Sequence, residues 1–128
     1  MSQTSVIRLN SEGPDGAGLQ FWGHLENETV ISGEPTETGR NYFTDSTGQF
    51  TVGVWDYTPC LSEIDNYPVD EFCFILSGML VLTDGSGHAE TFRLGDSFVI
   101  PKGMKCTWHM PETTRKYYVI LDAKAEDS

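Results

Sequence analysis

Glu71-Phe72-Cys73-Phe74-Ile75-Leu76-Ser77-Gly78 places a carboxylate at the head of an apolar run and closes that run with glycine seven residues later. Further on, Gly95-Asp96-Ser97-Phe98-Val99-Ile100-Pro101-Lys102-Gly103 gives a glycine turn, a short apolar run and a Pro-x-Gly stop. Side chains alternate faces along a strand. Glu71, Cys73 and Ile75 therefore share one face of the first run, and Phe72, Phe74 and Leu76 share the other. Both faces are largely apolar, so the strand is expected to be covered on both sides. An ionised carboxylate on such a face is costly to bury without a partner, which makes Glu71 the residue to explain.

The same alternation extends outward in both directions. Phe50, Val52, Val54 and Asp56 oppose Thr51, Gly53, Trp55 and Tyr57. Gly78 leads into a strand over 79–83, read as the second arm of a tight hairpin, and Asp84-Gly85-Ser86-Gly87 is a strong turn signal before a strand over 89–92. Strands over 97–100, 105–110 and 115–121 follow. In the last two, Cys106, Trp108 and Met110 oppose Lys105, Thr107 and His109, while Lys116, Tyr118 and Ile120 alternate with Arg115, Tyr117, Val119 and Leu121. Residues 19–25 read as a short early strand and residues 26–45 as a polar extended arm, which either wraps the domain or crosses to a second subunit. Seven or eight short strands with turns about every ten residues indicate an all-β barrel or sandwich. The division expected is an N-terminal arm with an early strand (1–45), a β-barrel (46–122) and a charged, frayed tail (123–128).

The 128 residues suffice for one domain with a real core. Asp and Glu outnumber Lys and Arg by 19 to 8, a net charge of −11. That charge disfavours nucleic acid and anionic membrane surfaces. Residues 1–10 lack the apolar stretch of a secretory signal, and no apolar run approaches the roughly 18 residues needed to span a bilayer. Three cysteines, Cys60, Cys73 and Cys106, suit a reducing compartment better than a disulfide framework. The expectation is a cytoplasmic protein.

Tyr67-Pro68 before Asp70-Glu71-Phe72-Cys73, then Leu76-Ser77-Gly78, the 95–103 run, Thr107-Trp108 and Arg115-Lys116-Tyr117-Tyr118 together resemble the cupin superfamily. The resemblance covers about residues 50–121. It is closer still to the small cupins related to ureidoglycine aminohydrolase and to the ethanolamine-utilisation cupin. It implies a single-domain cupin, a jelly-roll barrel that forms a homodimer, with Glu71 and Cys106 pointing inward. The implied pocket is lined by Glu71, Cys73, Cys106 and Trp108, with Trp55, Tyr67, Tyr118 and Lys116 as further contributors.

The metal-binding cupin pattern would place His-x-His shortly before Glu71 and another histidine at position 106, but positions 64–67 and 106 hold none. The histidines are His24, His88 and His109, with His88 in a turn and His109 facing away from Trp108. Similarity to ureidoglycine aminohydrolase implies a different divalent-metal set, Asp65, Tyr67, Glu71 and Cys106. Tyrosine is a poor ligand near neutral pH, and the set mixes hard and soft donors, so the reading favours no cofactor.

Two roles are open for Glu71 and Lys116. They form a structural ion pair, or they hold and protonate a ligand as catalytic groups. Cys73 and Cys106 read first as small core residues, and Trp55, Trp108 and Tyr118 as either core or a stacking wall. Asp96 reads as a turn residue. The function expected is a metal-free barrel that binds a small nitrogenous or carboxylated metabolite. The alternative is a metal-dependent enzyme similar to ureidoglycine aminohydrolase, with Glu71 driving proton transfer and release of ammonia.

Overall fold

The computed structural model describes residues 5–24 and 29–123. Among these residues lie eleven strands: β1 (Gln20–His24), β2 (Thr29–Ser32), β3 (Thr36–Thr44), β4 (Phe50–Tyr57), β5 (Cys60–Ile64), β6 (Asp70–Ser77), β7 (Met79–Asp84), β8 (Ala89–Arg93), β9 (Ser97–Ile100), β10 (Cys106–Met110) and β11 (Thr114–Leu121). One short 3-10 turn, Pro14–Gly16, precedes them. The strands form two antiparallel sheets, ordered β1-β3-β4-β11-β6-β9 and β2-β5-β10-β7-β8. This is the all-β jelly-roll architecture expected, and closing two sheets on each other gives an interior that a ligand can use.

Alternation assigns the faces as read. Cys73 and Ile75 of β6, Leu80 of β7, Ile100 of β9 and Cys106 of β10 are buried in the core between the sheets. The expectation that β6 is covered on both sides does not hold in the chain as described: Phe72 is 41% exposed. Only one face of the sheet meets the other sheet. On the outer face Phe72 lies between Val99 of β9 and Val119 of β11, so these apolar side chains neighbour one another rather than a second layer.

Gly78 does not close a hairpin. β6 and β7 belong to different sheets, and Gly78, at φ +82°, carries the chain from one to the other. A Cβ there would collide with the Thr113 carbonyl oxygen and with Thr114, so glycine is required by both conformation and space. The Asp84 turn does join a hairpin, β7–β8. The Asp84 carboxylate accepts from Ser86 N at 2.9 Å, Ser86 Oγ at 2.7 Å and His88 N at 3.1 Å.

Three strands were not apparent from pattern: β2, β3 and β5. Of the segment read as an arm, β2 pairs with β5 in one sheet and β3 pairs with β1 and β4 in the other. Thr, Glu and Arg dominate β3, and its strand character comes from pairing rather than from apolar alternation. Ahead of it, residues 10–12 fasten to the outer face. Tyr42 Oη donates to the Asn10 carbonyl at 2.8 Å, and Arg115 bonds Ser11 O at 2.7 Å, Glu12 at 3.1 Å and Asp56 at 2.9 Å. Leu25, residues 26–28 of the arm and residues 124–128 of the tail lie outside the described residues. Among the described residues no helix is long and apolar enough to cross a membrane.

Candidate functional site

Glu71 enters the barrel from the first inward position of β6, and three donors converge on it. Tyr67 Oη donates to Oε1 at 2.6 Å. Lys116 Nζ donates to Oε2 at 2.8 Å, and Cys73 Sγ donates to the same oxygen at 3.3 Å. Lys116 Nζ also lies 3.5 Å from Cys73 Sγ. Glu71 and Lys116 are 2% and 1% exposed, so the pair is effectively out of water.

Backbone geometry explains how these groups meet. Lys116 faces Trp55 in β4 and, after a bulge between Arg115 and Lys116, Ile75 in β6. Its stem then runs along the inward face past Cys73 to reach Glu71. Tyr67 sits in the loop before β6 and is held by the Pro101-Lys102-Gly103 turn: Gly103 N donates to Tyr67 O at 2.8 Å and Tyr67 N donates to Met104 O at 3.0 Å. Gly103 has φ +90°. The second motif therefore positions the phenol that bonds the carboxylate of the first.

Aromatic rings enclose the ammonium. Lys116 Nζ lies 4.6 Å from the ring centroid of Trp108, 5.1 Å from that of Trp55 and 5.6 Å from that of Tyr57. A cation desolvated against such faces gains on the order of 2 kcal/mol per favourable contact. Trp55 is anchored in turn by its Nε1, which donates to Glu37 Oε2 at 3.0 Å. Tyr118 forms the next layer, edge-on to Trp55 at 5.5 Å, in space that Gly53 leaves open because a Cβ there would strike the Tyr118 ring.

The charges reinforce one another. Burial works to raise the Glu71 carboxyl, but the Lys116 charge and its hydrogen bond, with those from Tyr67 and Cys73, outweigh it and hold Glu71 below its ordinary range. Burial works to lower the Lys116 ammonium, while Cys73 and Glu71 raise it and prevail. Burial pushes the Cys73 thiol well above its usual range, so at neutral pH it is a neutral thiol and Glu71 supplies the attraction. Burial, then the Glu71 charge, raise Tyr67, which stays a protonated donor.

The sign of the pH dependence follows. Glu71, depressed, contributes stability above its ordinary 4.5 that is lost as pH falls through its lower folded value. Lys116, raised, contributes stability below its ordinary 10.5 that is lost as pH rises through its higher folded value. The stability difference between wild type and the double variant Glu71→Gln/Lys116→Met is therefore expected to be flat between those two limits and to shrink beyond each. Urea titrations across pH measure it, and a difference that changes steadily through neutrality would contradict this charge assignment.

Among the described residues, one buried side-chain polar atom lacks a hydrogen-bond partner: Trp108 Nε1. Trp108 is 2% exposed, stacked on Tyr67 with ring centroids 6.4 Å apart and edge-on to Phe98 at 6.2 Å. Phe98, Phe92, Leu82, Ile100 and Met104 wall a cavity of about 200 Å³, with Asp84, His88 and Glu90 toward its rim. Leu82 is also the register partner of Trp108 across β7 and β10. The cavity thus adjoins Trp108 through two of its walls.

The structure brings Glu71, Lys116, Tyr67 and Cys73 into one bonded cluster and sets Trp55 and Trp108 around it. Cys106 is buried on β10 of the opposite sheet, and Tyr118 stands one layer out. Tyr57, which completes the ring of aromatics, shares a face with Trp55 but is not among the residues expected to line the pocket. The cavity walls had no signal in the sequence.

Asp65 is exposed, the Tyr67 hydroxyl is committed to Glu71, and Lys116 occupies the remaining side of the carboxylate. Among the described residues no group of three or more His, Cys, Asp or Glu side chains is placed to hold a metal ion. His88 and His109 are exposed, and the side chain of His24 lies outside the described residues.

A family model described as the EutQ-like cupin domain matches residues 44–118, more than half of the chain. The crystal structure of a DUF861-family protein from Pseudomonas syringae pv. tomato is similar, with a TM-score of 0.75 and 26% identity over 88% of this chain and 46% of that one. The chain thus spans about half the length of that relative. A putative ethanolamine utilization protein EutQ from Salmonella typhimurium shares the fold at a TM-score of 0.63 and 21% identity, covering 80% of this chain and 79% of that one. EutQ from Clostridium difficile does so at 0.63 and 19%, covering 80% and 78%. No curated protein matches the sequence.

Proposed function

The chain belongs to the EutQ-like cupin family, and from that premise we propose that its barrel binds a small organic metabolite against Trp108 rather than catalysing a reaction. The observation that carries this reading is the unpartnered Trp108 Nε1. A buried donor left unmade costs about 1–3 kcal/mol, and a ligand carbonyl or carboxylate oxygen would satisfy it. The adjoining cavity, about 200 Å³, is smaller than the roughly 300–1,000 Å³ pockets of drug-sized ligands, which fits a metabolite of few heavy atoms. Its Phe92 and Phe98 walls, 4.3 Å apart at their centroids, suit an apolar or planar portion.

The cluster beneath supports binding over proton transfer. A general acid or base works best with a pKa near the operating pH, whereas Glu71 is held ionised and Lys116 protonated. Both carboxylate oxygens of Glu71 already accept hydrogen bonds. The pair therefore acts as a rigid polar floor that fixes Tyr67 and Trp108 around the ligand.

A metabolite panel read by thermal shift on wild type and on Trp108→Phe tests this. The variant removes the orphaned donor, so its own stability is expected to change by no more than about 1–2 kcal/mol. Carbonyl or carboxylate compounds that raise the wild-type Tm are expected to lose that effect in the variant. Compounds that shift both proteins equally, or a panel that shifts neither, would count against the reading.

A further inference from the structure

We infer that the Lys116 ammonium is the resident cation of this barrel, seated in a receptor made by Glu71, Cys73 and the rings of Trp55, Tyr57 and Trp108. The Glu71 centre then takes no divalent metal, and it accepts a small alkylammonium ion when Lys116 is shortened. This rests on the interior geometry and not on the ligand reading above, so either can fail without the other.

A carboxylate 2% exposed needs a cation beside it. The groups around Lys116 Nζ are one anionic oxygen at 2.8 Å, one sulfur at 3.5 Å and three ring centroids at 4.6–5.6 Å. Such an environment recognises organic ammonium ions, whose attraction to π faces needs no fixed coordination number. A divalent transition metal asks instead for several directed N, S or O ligands. Of the candidate ligands here, Asp65 is exposed, and the Tyr67 hydroxyl and the Cys73 thiol are both spent on hydrogen bonds to Glu71. The remaining side of Glu71 is filled by a cation that the chain carries itself, delivered from β11 by the bulge between Arg115 and Lys116.

The receptor also explains why the pair is so completely enclosed. Four of its five members lie on inward positions of adjacent strands: Cys73 and Glu71 on β6, Trp55 and Tyr57 on β4, with Lys116 on β11 between them. Trp108 closes it from the opposite sheet. Removing the Lys116 stem while leaving these five residues would vacate a slot whose walls still present negative charge and π faces.

Two measurements test the inference. In the first, wild type and Glu71→Gln are equilibrated with Zn²⁺, Mn²⁺ and Ni²⁺, dialysed and analysed for metal. No stoichiometric metal on wild type is expected. Metal retained equally by Glu71→Gln lies away from this centre and leaves Lys116 as its cation, whereas an equivalent of metal held by wild type and lost in Glu71→Gln would overturn the inference. In the second, Lys116→Ala is melted with methylammonium or n-butylammonium chloride against sodium chloride at equal ionic strength. The variant's Tm is expected to rise with the alkylammonium salts beyond the sodium control, with no such excess in wild type. A folded Lys116→Ala that responds to all salts alike overturns the inference. If that variant does not fold, the metal measurement on wild type decides alone.

Discussion

Lys116→Met is expected to lower the stability of this protein by about 3–5 kcal/mol, the usual cost of leaving one member of a buried ion pair unpaired, seen as a fall in Tm of roughly 10–20 °C. Methionine keeps most of the stem's packing, so the loss is electrostatic. Glu71 would retain the Tyr67 and Cys73 hydrogen bonds but lose its only bonded cation in the cluster. The rings of Trp55, Tyr57 and Trp108 would lose the charge they face. A second substitution separates the cost of an unpaired charge from the worth of the pair. Replacing both residues by apolar ones of similar volume is often neutral or stabilising, so Glu71→Leu/Lys116→Met is expected to recover much of the loss. A double variant as unstable as the sum of its single variants would mean that Glu71 and Lys116 are not coupled, contrary to their 2.8 Å contact. Urea unfolding of the four proteins gives the cycle.

The pair shows what could be read in advance. Parity along β6 and β11 sorted their side chains onto two faces, because alternation in a strand is fixed by its geometry, and the cupin resemblance implied that the faces carrying Glu71 and Lys116 turn inward. What parity could not supply was reach. Lys116 sits in register with Ile75, not with Glu71, and the bulge that aims its stem down the strand leaves no mark on the local residue pattern. Tyr57 was similarly legible, since alternation places it on the same face as Trp55. β3 was hidden for a different reason. Its side chains are mostly polar, and its place in the sheet depends on non-local pairing with β1 and β4. Gly39 shows this dependence: a Cβ there would press on the Trp22 ring at 2.5 Å, a contact between residues 17 apart in sequence, which no local pattern contains. The outer face of β6 departs from the expectation because apolar side chains on a sheet can neighbour one another without a covering layer. In the chain as described, Phe72, Val99 and Leu121 stay 41%, 60% and 44% exposed.

Trp108→Ala is expected to be the most damaging single truncation of the site, about 3–5 kcal/mol, the range for removing a large aromatic from a packed core. Trp108 heads the fully buried side chains by volume, and its ring touches Tyr67, Phe98 and the Lys116 ammonium together. Its removal would join the space it fills to the cavity behind Phe98 and Leu82, admitting water beside the Glu71–Lys116 pair. Water there would screen the pair, so the stability lost should exceed that from apolar area alone. Comparison with Trp108→Phe isolates that excess: phenylalanine retains a ring against Lys116 and Tyr67 but carries no Nε1 donor. The ordering expected from chemical denaturation is wild type and Trp108→Phe close together, with Trp108→Ala far below. If Trp108→Phe falls as low as Trp108→Ala, the indole nitrogen is bonded in the folded protein, and the donor that carries the ligand reading is already satisfied without a ligand.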